Sequence, residues 1–79
     1  MKDYIPIDCA LYSRYELAIL HHERLQIVWR DTSDTCHVEN LFPIDLQTLD
    51  HAEYLLAEND AGDAHRLRLD QIVRVKFDV

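Results

Sequence analysis

The sequence predicts a mainly β fold: one N-terminal α-helix followed by a small, strongly bent barrel of five to six short strands. Three observations point there. The stretch from Asp3 to His22 starts extended, then runs from Cys9 to about Leu20 with no Gly or Pro. After it come short runs of alternating apolar residues, separated by turn chemistry. And 79 residues leave room for one small domain over residues 1–79, in which a few short strands bury one face only by curving and closing the sheet.

The helix is predicted over about residues 9–21. Pro6 fixes its own backbone and biases Ile5 away from helix. Asp8 is a good N-cap, because its carboxylate accepts amide protons of the first turn. Leu, Ala, Glu and Arg then dominate, and His21, His22 and Glu23 end the helix. Leu11, Tyr15, Ala18 and His22 share one face, which suits a core. Asp8, Tyr12, Glu16 and Leu20 form a separate i, i+4 ladder, which suits contact with something outside.

Strands are predicted from about residue 24 to 77. Leu25, Ile27 and Trp29 alternate with polar neighbours, which makes a half-buried strand. Asp31-Thr32-Ser33-Asp34 is turn chemistry, and Thr35 to Asn40 alternates again, with Cys36 and Val38 on one side, as the return strand of a hairpin. From Leu41 to Asp50 no clean period holds. Pro43 forbids a central strand there, so a strand end followed by a helical turn or loop is expected. Residues 52–58 form a third strand. Asn59-Asp60-Ala61-Gly62-Asp63 holds the one glycine of the chain, as a hairpin loop needing a left-handed residue does. His65–Leu69 and Ile72–Phe77 complete the set, with Asp70-Gln71 as a tight turn between them.

Composition narrows function. The formal net charge is −7, a sign that opposes binding to phosphate backbones and suits a partner with a basic surface. Arg66, Arg68, Arg74 and Lys76 are the one basic concentration, and they are expected to pair with carboxylates rather than grip RNA. Most aromatic residues read as core rather than as stacking platforms. Cys9 and Cys36 have no paired spacing and are expected to be reduced, buried thiols. No secretory leader opens the chain and no apolar run spans a bilayer, so the expected location is the cytoplasm, without membrane contact. The five histidines lack ligand spacing, the single glycine excludes a phosphate loop, and no catalytic constellation appears. No metal, no cofactor and no enzymatic activity are expected.

The segment Tyr4-Ile5-Pro6-Ile7-Asp8-Cys9, then Tyr12, Glu16-Leu17-Ala18 and His21-His22, resembles the opening of the Rho-binding antiterminator family (Rof). Glu53-Tyr54-Leu55 and Arg66-Leu67-Arg68-Leu69-Asp70 with Ile72 resemble its later landmarks. The resemblance implies a small Sm-like barrel and a partner: the transcription termination factor Rho, bound at its N-terminal primary RNA-binding region so that RNA cannot load. It implies contact through the helix, with Asp8, Tyr12, Ser13, Glu16 and Leu20 as the partner-binding residues. Tyr12 is then a packed anchor, and Asp8 and Glu16 pair with Lys or Arg. Ser13 stands where the family often carries an acid. The free protein is expected to be a monomer. An Sm-like RNA-binding module is the alternative function.

Overall fold

The structure is a computed structural model that describes residues 3–79. Helix α1 spans Cys9–Leu20, followed by strands β1 (Leu25–Arg30), β2 (Cys36–Leu49), β3 (Ala52–Glu58), β4 (Ala64–Arg68) and β5 (Ile72–Lys76), with a 3₁₀ turn at Leu69–Gln71. The mainly β fold with one N-terminal helix is as expected. All pairings are antiparallel, and the strands lie side by side in the order β4-β3-β2-β1-β5.

The barrel expectation needs correcting on one point: the sheet is bent but not closed. It has five strands, and β4 and β5 are its two edges. Side chains rather than a backbone ladder bridge the gap between its ends. Leu69, in the 3₁₀ turn that joins the edges, is 2% exposed and inserts into the core. His65 of β4 meets Trp29 of β1 edge-on, with ring centroids 5.7 Å apart.

Asp8 caps α1 as expected: its carboxylate accepts from the Ala10 amide at 2.8 Å. The other end closes with a left-handed residue. His22 has φ 54°, its amide donates to the Ile19 carbonyl at 3.3 Å, and the Glu23 amide donates back to Ala18 at 2.9 Å. That pair of bonds is the Schellman arrangement, with histidine where glycine usually sits. His22 is therefore not part of the buried face; it lies beyond the helix and is exposed. Tyr15 and Ala18 are buried, at 1% and 0% exposure, in one cluster with Leu25, Ile27, Leu41 and Leu67. Leu11 packs against that cluster half-buried.

Strand β2 overturns the expectation of a loop or helical turn after Asn40. It continues unbroken for 14 residues, through Pro43 to Leu49. The reason lies in a change of partner. Pairing with β1 ends at Leu25↔Leu41, and pairing with β3 begins at Phe42↔Glu58. Pro43 sits just past the last β1 partner, at a register shift between Pro43 and Asp45. Pro43 stands opposite Ala57 at that shift, and a bulge is one of the places where a sheet tolerates a residue without an N–H and bends. The hairpin to β3 turns on Asp50 and His51, both left-handed at φ 51° and 64°, as a two-residue primed turn requires.

The later elements match more closely. Strand β3 has the expected bounds, and Gly62 is left-handed at φ 86°. Asn59 shapes that loop by accepting from the amides of Ala61 and Asp63 at 3.0 and 2.9 Å. Strand β4 lies one residue earlier than expected, because Leu69 leaves it to turn into the core.

Candidate protein-binding face

The ladder on α1 is where the exposed chemistry gathers. Asp8, Ser13, Glu16 and Leu20 are exposed, Leu20 at 69%. Asp8 spends one carboxylate oxygen on the helix cap. Tyr12 departs from the expectation of a face turned away from the core: it is half-buried and packs against the core cluster. Its phenol is pushed above its ordinary pKa, first by burial and then by the negative charges of Glu53, Glu16 and Asp45. Like any phenol, Tyr12 is protonated at neutral pH and offers a hydrogen-bond donor.

The charges of Glu53 on β3, Glu16 on α1 and Asp45 on β2 all act on this tyrosine, so the negative potential around it comes from the sheet as well as from the helix. Tyr4 joins this surface from the N-terminal segment, donating its hydroxyl to Glu53 Oε1 at 2.9 Å. Burial and that bond raise the Tyr4 phenol strongly as well. The segment is held in place: the Ile5 amide donates to Asp70 Oδ2 at 3.0 Å, and Arg68 lies over the Tyr4 ring at 5.4 Å. The result is two protonated phenols among carboxylates, with exposed Leu20 at one end. Such a surface offers acceptors to Lys and Arg, and an apolar foothold between them.

Asp45, Glu53 and Tyr4 were not assigned to this face from the sequence. Asp45 lies in the stretch without a period. Glu53 carried a signal: it shares strand parity with Leu55 and Ala57, which are buried at 0% and 1%. A carboxylate on the inward parity at a strand end marks a place where the core opens. Arg14, although next to Ser13, takes no part in the face. It forms a two-pronged pair with Glu23 at 2.6 and 2.9 Å and lies over Phe77 at 4.3 Å.

The two cysteines are free, but both are exposed, which corrects the expectation of buried thiols. Cys9 opens the helix beside the cap, and Cys36 faces outward opposite Arg30. His37 stacks on Trp29, with ring centroids 5.2 Å apart, and pairs with Asp31 at 2.7 Å; His65 pairs with Glu39 at 3.4 Å. Among the described residues no three His, Cys, Asp or Glu side chains gather as a metal site. Among the same residues no helix is long and apolar enough to cross a membrane.

No family model and no curated protein matches the chain. Among solved structures it is similar to the proteasome accessory factor B/C (PafBC) of Arthrobacter aurescens, with a TM-score of 0.79 and 18% identity. The match covers 99% of this chain and 12% of that one. At that identity the likeness shows a shared fold and nothing more.

Proposed function

We propose that this protein is a non-enzymatic inhibitor of transcription termination factor Rho, acting in the cytoplasm. In this reading the acidic face on α1 and the adjoining sheet occupies the basic primary RNA site of Rho and keeps RNA from loading. The observation that carries it is the exposed set Asp8, Ser13, Glu16 and Leu20 around the half-buried Tyr12, on the helix whose residues resemble the antiterminator signature. The net charge of −7 supports it by favouring encounter with a basic surface. Tyr12 is the packed anchor, and Asp8, Glu16 and Glu53 are acceptors for Lys or Arg.

The test is a competition experiment. Labelled pyrimidine-rich RNA is bound to Rho and titrated with the wild type, Glu16→Lys and Glu53→Lys. Displacement by the wild type, weakened in both variants and at higher salt, is the expected result, because Lys adds repulsion where an attraction is lost. Wild type that binds Rho and leaves RNA in place would sink direct competition. Direct binding of the RNA by the isolated protein would favour an RNA-binding module instead.

A further inference from the structure

The two sheet edges differ in how their side chains are engaged. On β4, Arg66 lies over Tyr54 at 5.1 Å, Arg68 pairs with Asp70 at 3.0 Å and His65 pairs with Glu39 at 3.4 Å. On β5, the Arg74 and Lys76 side chains make no hydrogen bond, ion pair or ring contact among the described residues. Both are exposed. They lead two rows across the outer face of the sheet, Lys76 beside Gln26 and Asn40, and Arg74 beside Val28 and Val38. Neither row contains a carboxylate, in a chain with 15 of them. The basic charge that β5 carries is thus uncompensated, whereas that of β4 is already used.

We infer that the free edge of β5 accepts an extended segment of a partner protein in which acidic and apolar residues alternate. Strand addition supplies the backbone bonds that an edge leaves unmade. The segment's side chains then fall alternately on the two sides of the sheet. On the outer side they meet Arg74 and Lys76, so acids fit. On the inner side β5 presents Ile72 and Val75, which pack against the core, and at its Ile72 end it borders a recess of about 910 Å³, where Ile5 and Val73 are 70% and 58% exposed. Asp3, Asp31, Asp34 and Asp70 line that recess together with Arg30 and Arg68, which pair with Asp34 and Asp70, so its balance is negative and apolar residues fit there better than acids. RNA fits less well, because the rows offer two free cations and no aromatic platform. A second copy of this chain fits less well too, because each copy carries a net charge of −7. The inference is independent of the Rho reading, since the cations it rests on, Arg74 and Lys76, take no part in the acidic face.

The probe is a short fluorescein-labelled peptide alternating glutamate and valine, followed by anisotropy and by amide hydrogen exchange. Binding that weakens with salt, with exchange slowed in β5 and not in β4, is expected. The pair Arg74→Glu and Lys76→Glu should lower affinity by about tenfold or more, as reversing two exposed cross-strand charge pairs does. Arg74→Gln with Lys76→Gln should give a smaller loss. Both variants should melt as the wild type does, because neither side chain has an internal partner. Absence of binding, protection at β4 instead, or undiminished binding by the charge-reversed pair would overturn the inference. So would preferential binding of oligo-C RNA, or protection of β5 by protein concentration alone, which would make the occupant RNA or a second copy.

Discussion

Replacing Tyr15 by Phe should stabilise this protein. Tyr15 is 1% exposed, and its hydroxyl is enclosed without a hydrogen-bond partner among the described residues. Its ring meets Phe77 at 5.6 Å, a contact that Phe keeps. Burying a hydroxyl with no partner costs about 1–3 kcal/mol, and deleting one oxygen gives back a little packing. The net gain is about 1 kcal/mol, which for a domain of this size moves the thermal midpoint up by about 4–8 °C. The same substitution has a signature at high pH. Burial pushes the Tyr15 phenol from its ordinary 10.0 up to about 12. A folded-state pKa above the unfolded one contributes stability that is fully present below pH 10 and is lost as pH rises through about 12. The loss amounts to roughly 2–3 kcal/mol, and Tyr15→Phe lacks this share of it. Melts followed by circular dichroism at neutral pH and across that alkaline window measure both effects. A midpoint lowered by several degrees at neutral pH would refute the reasoning, since it would mean that the hydroxyl makes a bond worth keeping.

Ala18→Asp places a carboxylate where exposure is 0% and should cost roughly 4–5 kcal/mol, seen as a chain largely unfolded by circular dichroism at 25 °C. His22→Gly relieves the left-handed histidine at the end of α1 and should gain about 1 kcal/mol, read as a higher midpoint in urea. The Glu23 carboxyl is held below its ordinary pKa, chiefly by its hydrogen bonds from Arg14. That stability is present above the unfolded-state pKa and is lost as pH falls through the folded-state value, so Glu23→Gln should flatten the acid limb of a stability–pH curve. Tyr12→Ala should lower the midpoint as well as weaken partner binding, because the ring packs against the core; a binding loss with an unchanged melt would place Tyr12 wholly at the interface.

Most elements could be read from local chemistry. Asp8 before an uninterrupted helical run, Gly62 in a polar loop and the Leu25, Ile27, Trp29 alternation each specify their own conformation. Where the reading failed, a distant partner decides the outcome. Pro43 is tolerated in a long strand because β1 stops at Leu25 and β3 takes over, which no window around Pro43 reveals. His22 looked like a face residue because spacing says nothing about where a helix unwinds. The helix half of the acidic face was visible as an i, i+4 ladder. The sheet half was not, since Glu53 meets Tyr4 only once β3 is folded against the N-terminal segment. Cys9 and Cys36 looked buried by residue type, yet one sits at a helix start and the other on an outward row.

The change of partner along β2 also orders the events of assembly. Through β2, the β1–β2 and β2–β3 hairpins join chain neighbours, and β3–β4 follows the same local pattern. Only the β1–β5 ladder joins distant residues, Gln26 with Lys76. Closing that long loop costs more entropy than closing any hairpin, so β5 should dock last on folding and fray first in the native state. The meander from β1 to β4 is then a kinetic unit built on one bent spine, and the strand with the unengaged cations is also the most loosely fastened.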